Sequence, residues 1–571
     1  VSRKSILALF AVVLGTTAAI SVAVDEDPMS VAQPIGGLAF KDEIEVTVVN
    51  VIAFVTDKQG NHILDLTKDD FKVYQDGQER PLTNFQLYTE DLYRSYYRPV
   101  GRPGIEREPA EEAIAPPAEL RTSYMAIYVD HENLRPLDRN RVINQLQTFV
   151  RENCQPPVEM MVASYNRSLK VVQPFTSDSD LIRRALGDMR KFTGGRTNRD
   201  SERKDIIETM ERSKQEQESS QGSFYRVQGM IHNFAREEEN DLQFSLGALR
   251  EMITMISGLP GKKSILYISN GLAMVPGLDL YYGLANAFDE PSQITEATRF
   301  AQYRQFDSLV AAANSQDVTF YTIAAGGLET IGMASAEYAT PQDTLAASVG
   351  RDNYLDSIRL MADGTGGRAV FNTNDIRGGL ERIEQDFYTY YSLGYPLQTS
   401  GRDKVHKIKV EIPGHPEYRI RYRRRFVEKS LENRVQDRVV TGLMFPIEDN
   451  PMDILCDVGD PTVASEDRWT VPFELAFPIQ MVALLPEGED FVGRVTLFLA
   501  VRDTKGKQSD VIRQEHEIRI PSAAYEDARA KRFTIHTDLL MEKGSYKVAV
   551  ALLDRLTRQA SYQTLSTSVG R

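Results

Sequence analysis

Apolar positions recur along this chain first with a period of two, then with helical spacing between short apolar runs, then with a period of two again. From residue 44 to residue 88 the alternation is that of strands. It runs through Val46-Thr-Val-Val-Asn-Val-Ile-Ala-Phe-Val55, a turn at Asp57-Lys-Gln-Gly60, and Phe71-Lys-Val-Tyr74. The Asp76-Gly77 pair that follows predicts a tight hairpin. Between residues 123 and 390 strands and helices alternate, which implies a mostly parallel sheet covered by helices on both faces. Strands are expected over 125–129, 159–165, 169–173, 264–269, 319–323 and 368–371, with helices over 138–151, 178–190, 242–257, 293–315, 354–362 and 376–388. Residues 201–240 are unusually polar and read as an inserted helical excursion with a break at Ser219-Ser-Gln-Gly222. After residue 390 alternation returns at Tyr391-Ser-Leu-Gly-Tyr395, Lys407-Ile-Lys-Val-Glu-Ile412 and Tyr418-Arg-Ile-Arg-Tyr-Arg423.

These patterns divide the chain into a β segment over 40–98, a Pro-rich linker over 99–121, an α/β domain over 122–390, a second β segment over 391–426 and an all-β domain over 433–571. Because the two β segments flank the α/β unit, the economical packing pairs them into one sandwich with that unit inserted. The last domain carries runs at 480–485, 493–501, 515–520 and 545–552 and is expected to be Ig-like, with Trp469 in its core. A length of 571 residues is compatible with about three or four domains.

Charge and termini narrow the setting. With 67 basic against 81 acidic residues the net charge is −14, which argues against broad nucleic-acid binding. Arg3 and Lys4 precede an apolar run over 6–24, and Ser21-Val-Ala23 offers a cleavage site, so residues 1–24 read as a secretory signal; an uncleaved anchor is the alternative. Either places the body outside the cytoplasm, in the periplasm, at the cell surface or beyond, with no membrane insertion past that segment. Cys154 and Cys456 are expected to be free thiols, although export would permit a disulfide.

The candidate chemistry sits at one strand end. Ser123-Tyr-Met-Ala-Ile-Tyr-Val-Asp130-His-Glu132-Asn-Leu134 is a buried-strand run that terminates in carboxylates, and open parallel sheets bind ligands at the carboxyl ends of their strands. A simpler role for Asp130 and Glu132 is to accept from backbone donors in the following turn. The remaining motifs carry less. Gly258-Leu-Pro-Gly261-Lys-Lys-Ser264 precedes its strand and lacks phosphate-loop spacing, and neither H-E-x-x-H nor G-x-S-x-G occurs. Arg419, Arg421, Arg423, Arg424 and Arg425 interleave with apolar residues and read as a solvated strand face; a patch for anionic partners is the alternative.

Taken in order, Val55-Thr-Asp-Lys-Gln-Gly60, Leu66-Thr-Lys-Asp-Asp-Phe71-Lys-Val-Tyr-Gln-Asp-Gly77, the strand ending at Asp130, Gly261-Lys-Lys-Ser-Ile-Leu-Tyr-Ile-Ser-Asn270-Gly271, Leu360-Met-Ala-Asp-Gly-Thr-Gly-Gly367 and Tyr390-Tyr-Ser-Leu-Gly-Tyr395 resemble the bacterial exported proteins related to von Willebrand factor type A domains. The resemblance covers residues 40–426. It implies a Rossmann-like domain with a divalent cation, usually magnesium, held by a D-x-S-x-S motif, a threonine and an aspartate from later loops. Asp130 keeps the first position, Glu132 and Leu134 replace the two serines, Thr197 (or Thr193) is the candidate threonine, and Asn270 stands for the late aspartate. A hard cation requires oxygen ligands, so Leu134 is lost to it and the implied metal site of Asp130, Glu132, Thr197 and Asn270 is degenerate.

The resulting expectation is an exported, non-enzymatic protein that binds a protein partner through the type A domain, with weak magnesium dependence at most. An envelope hydrolase using Asp130 and Glu132, and a structural part of a secreted assembly, are the alternatives.

Overall fold

A computed structural model of the chain describes residues 46–97, 122–215, 221–328, 344–398, 403–447 and 449–570. The expected signal segment and the linker over 99–121 lie outside the described residues. Two compact units emerge, one comprising Thr47–Leu397 with Arg402–Lys429 and the other built around Ser430–Arg571.

The first unit opens with β1 (Val46–Thr56), the hairpin β2 (Lys72–Gln75) and β3 (Gln78–Arg80), β4 (Asn84–Tyr88) and helix α1 (Glu90–Tyr97). Asp76 and Gly77 both have positive φ, 51° and 84°, as a two-residue hairpin turn of matching twist requires. Next comes the α/β body: β5 (Ser123–Asp130), α2 (Pro136–Asn153), β6 (Val158–Tyr165), β7 (Leu169–Thr176), α3 (Ser179–Asp188), α4 (Arg196–Gln215), α5 (Gln221–Ile256), β8 (Lys262–Ser269), α6 (Leu278–Phe288), α7 (Ser292–Ala297), α8 (Tyr303–Ser315), β9 (Val318–Ala324), α9 (Thr344–Thr365), β10 (Ala369–Val370) and α10 (Arg377–Tyr388). The chain then returns to β11 (Tyr390–Gln398), β12 (Lys404–Glu411), β13 (Arg419–Tyr422) and β14 (Arg425–Glu428).

Strands from the two flanking segments hydrogen-bond to one another in the sheets β13-β1-β11-β4 and β14-β12-β2-β3. Their inner faces share a core of Val51, Ala53, Val55, Phe71, Val73, Tyr391, Leu393, Val410 and Phe426. The α/β body is a six-stranded mixed sheet in the order β10-β9-β8-β5-β6-β7, and its order reverses between β5 and β8. One face packs Ile127, Val129, Leu266 and Ile323 against α2, α3 and α10. On the other face α9 lies over β9, where Thr322 Oγ1 donates to the Ile358 carbonyl (2.9 Å).

Several local expectations are corrected. β7 runs antiparallel to β6, because only Asn166-Arg167-Ser168 joins them and a parallel return would need a crossover. The helix expected over 293–315 breaks into α7, a 3-10 turn and α8. The polar excursion and the helix expected over 242–257 merge, since α5 continues unbroken for 36 residues; α6 was not anticipated. Arg421 and Arg423 do not line a solvated face. Arg421 pairs with Asp386 at 2.6 Å and donates to the Gly366 and Gly367 carbonyls, while Arg423 donates to the Asn314 carbonyl at 3.1 Å. Through Arg421 the outward side of β13 meets the α/β body, so period two there separates two partly buried surfaces, with Arg419 left exposed.

In the second unit α11 (Leu431–Gly442) precedes two antiparallel sheets. One is built from β15 (Leu455–Val458), β16 (Thr462–Ser465), β17 (Arg468–Pro478) and later β21 (Arg532–Met541). The other joins β18 (Leu485–Glu487), β19 (Asp490–Asp503), β20 (Ile512–Pro521), β22 (Gly544–Asp554) and β23 (Ala560–Val569). Phe473, Leu475, Leu497, Leu499, Val548 and Val550 fill the space between them, and Trp469 packs at the margin, partly buried. The run over 480–485 forms no continuous strand: Ile479–Met481 is a 3-10 turn. α11 covers the outer side of the second sheet through Val435, Val439 and Leu443. Both cysteines are free, and burial pushes the Cys154 thiol up to about 11 and the Cys456 thiol up to about 12.

Candidate functional site

β5 delivers Asp130 to the carboxyl end of the sheet beside the point where strand order reverses, the position at which open α/β sheets place ligands. The chain turns there through His131–Asn133, and the Asp130 side chain accepts from the Asn133 amide (3.2 Å), capping the turn. Its carboxylate accepts further bonds from the Tyr267 hydroxyl (2.5 Å), the Ser269 hydroxyl (3.2 Å) and the Asn133 Nδ2 (2.9 and 3.1 Å to its two oxygens). Burial raises the Asp130 pKa, and these hydrogen bonds oppose the rise. Every bond to the carboxylate comes from a neutral group of the protein.

Asn133 links this carboxylate outward. Its Nδ2 also donates to Ser245 on α5 (3.3 Å), and its Oδ1 accepts from Arg199 Nη1 (2.9 Å). Arg199 lies on α4, whose arginines at 196, 199 and 203 recur at helical spacing and so face one side. Arg196 stacks over the Tyr354 ring, Arg199 also bonds Asp241 (2.8 Å), and Arg203 bonds the buried Asp279 (2.6 Å). Burial disfavours the Arg199 charge, but Glu238, Tyr354 and Asp241 outweigh it and hold its pKa above the usual value. Glu238 in turn accepts from the Gly277 amide (2.9 Å) and from the Tyr354 hydroxyl. The polar excursion therefore folds over the strand ends as a helical cap. Ile206, Met210, Val227, Ile231, Phe234, Tyr281, Leu284 and Phe300 give that cap its own apolar core.

The other expected site residues are placed apart. Glu132 is buried, with Arg167 Nε 3.9 Å from its Oε2. Thr197 is exposed on the first turn of α4, where its carbonyl accepts from Ser201, and it is no partner of Asp130. Asn270 donates to Asp138 (3.1 Å) and through its backbone to the Asn133 carbonyl (3.2 Å), while its Oδ1 is buried without a partner. Leu134 is core. Magnesium needs near-octahedral oxygen ligation, and here the lone pairs of Asp130 are filled by O–H and N–H donors with a guanidinium behind them. As placed, these residues do not fit the cation. Among the described residues no group of three or more His, Cys, Asp or Glu is arranged to hold one.

Asn133, Tyr267, Ser269 and the three arginines were not anticipated as members of the network. The available signal was the i, i+3, i+7 spacing of arginines in an otherwise mixed-charge helix. His131, between Asp130 and Glu132, is also structural: it stacks on Phe192 and sits 3.3 Å from Met189 Sδ, and burial with the nearby Arg139 lowers its pKa to about 4.

No family model and no curated protein matches this chain. Among solved structures it is similar to an aerotolerance-related membrane protein from Bacteroides fragilis, at 9% identity and a TM-score of 0.24 over 46% of this chain and 98% of that one. A conserved hypothetical protein BatB from Bacteroides thetaiotaomicron gives 10% identity and a TM-score of 0.19 over 46% and 96%. A β-glucuronidase from Bacteroides uniformis gives 10% and 0.15 over 20% and 13%. The chain is a multidomain protein with a mixed α/β sheet flanked by helices and several antiparallel sheets. Among its described residues no helix is long and apolar enough to cross a membrane.

Proposed function

We propose that this protein is an exported, non-enzymatic binding module whose type A-like α/β domain engages a protein partner without a divalent cation. The observation that carries the reading is the saturation of Asp130 by Tyr267, Ser269 and Asn133, with Arg199 supplying a fixed positive charge at the strand ends. A carboxylate so enclosed has no free lone pair for a metal, which supports the cation-free reading. What the strand-end face offers instead is a rigid rim. Around it the large side chains of Leu137 and Phe244 stand exposed on α2 and α5.

The test is thermal unfolding of the exported portion with and without excess magnesium, calcium or manganese, repeated on Asp130→Ala. The same melting temperature with and without each cation, in both proteins, is expected. A saturable rise that disappears in Asp130→Ala would show linkage through this site and overturn the cation-free reading.

A further inference from the structure

Glu132 is the one member of the expected metal set whose carboxylate the fold leaves unsatisfied. Its side chain is only 10% exposed, yet among the described residues no N–H or O–H donor lies within hydrogen-bonding distance. Arg167, the nearest cation, stands 3.9 Å away with its own side chain 87% exposed at a positive-φ turn, so the ion pair is loose and screened by water. Buried polar groups are almost always paired, and this largely buried carboxylate takes no hydrogen bond from the described residues of the protein. The wall above it is unusual too. Gly195 packs directly on it: a Cβ added there would lie 2.5 Å from Glu132 Oε1, so a larger residue would push the carboxylate aside. The Gly195 amide is turned away, donating to the His131 carbonyl (3.1 Å). Tyr165, whose phenol is pushed up to about 12 by burial and by the carboxylates of Asp130, Glu132 and Asp241, against the hydrogen bond with Ser245, forms the remaining polar neighbour.

We propose that Glu132, beneath Gly195 and beside Arg167, is a receptor for a basic side chain of a partner protein: an ammonium or guanidinium meets the exposed edge of the carboxylate and supplies the donors that the protein does not. Charge-assisted bonds of this kind are the strong class, and the site is preformed. The polarity is inverted with respect to a metal-bridged adhesion site, since the protein contributes the anion and the partner the cation. Arg167 is the mobile counter-charge that the incoming group displaces. This inference rests on the cation-free binding reading above and specifies the partner chemistry of the same strand-end face.

The test uses the exported portion and capped pentapeptides carrying one central Lys, Arg or Glu among glycines, with binding measured by calorimetry, beside a magnesium chloride titration. Saturable binding of the Lys or Arg peptide and none of the Glu peptide is expected, weakened at least tenfold by Glu132→Gln and by Gly195→Ala. An exposed carboxylate elsewhere, Asp467→Asn, controls for bulk charge and leaves the affinity unchanged. Whichever basic peptide binds more tightly identifies the headgroup. Melting curves check each variant, and if Gly195→Ala fails to fold, the isosteric Glu132→Gln decides. Equal affinity in wild type and Glu132→Gln, or no binding of either basic peptide, overturns this inference while leaving the cation-free reading in place. Magnesium binding that Glu132→Gln abolishes overturns both.

Discussion

Two buried aspartates in the α/β body are stabilised in opposite ways. Asp130, at the carboxyl end of β5, is held by neutral donors: a tyrosine, a serine and an asparagine. Asp386, on α10 near the residue that leads into β10, is equally enclosed but bonds two guanidiniums, Arg368 (3.0 and 3.2 Å) and Arg421 (2.6 Å), with His62 at 3.7 Å. The first tolerates either protonation state because no ionised partner depends on its charge. The second joins three chain segments from the sandwich and the α/β body by charge, and removing its carboxylate strands two partly buried cations. Each aspartate marks a seam: Asp130 closes the strand end beneath the helical cap, and Asp386 fixes β13 to α10. Nearby, Lys262 shows the cost of burial without a full counter-charge. Its ammonium sits over the Tyr390 ring and donates to the Phe387 carbonyl, and burial lowers its pKa well below the usual value, against the pull of Asp386.

The contrast is sharpest under substitution. Asp386→Ala is expected to cost the most, about 3–5 kcal/mol, because breaking a buried pair leaves uncompensated charge; urea unfolding of the first unit reads it, and a loss below about 1 kcal/mol would mean that water reaches the arginines. Asp130→Ala is expected to cost less, about 1–3 kcal/mol, since it orphans neutral donors only. A cost exceeding that of Asp386→Ala would reverse the ranking. The smallest effect is in pH dependence. With its folded pKa raised by burial, the native state holds a proton on Asp130 that the unfolded state has released, so stability falls as pH rises from the ordinary carboxylate range, about 4, through the raised value. Asp130→Asn removes that slope, and denaturation profiles of the two proteins that stay parallel across this window would show that burial does not govern the group.

Much of the α/β body was legible in its apolar runs. The strands expected over 125–129, 264–269 and 319–323 lie inside β5, β8 and β9, and the helix over 376–388 is α10 with one residue added at its start. Short apolar strands between amphipathic helices carry that signal locally. The misses share a cause. β7 has strand periodicity whichever way it runs, and only its three-residue connection decides direction. α11 sits in a region dominated by alternation, and 431–442 becomes helical because Ser430 caps it and the outer sheet face accepts Val435 and Val439. At the candidate site Asp130 was visible because a carboxylate ending a buried strand is conspicuous, but its partners Tyr267 and Ser269 lie 137 and 139 positions away. No local pattern links them.

The sequence by itself determined the core strands β5, β8 and β9, the turn at Asp76-Gly77, the position of Asp130 at a strand end and the loss of Leu134 as a ligand. Each follows from side-chain period, backbone freedom or the chemistry of one residue. Tertiary structure alone decided that the charged excursion caps the strand ends, that Arg421 and Arg423 face an interior, and that Asp130 is satisfied while Glu132 is not. Those outcomes depend on which donors converge from distant segments, and a hydrogen bond is fixed by geometry that sequence neighbours do not set.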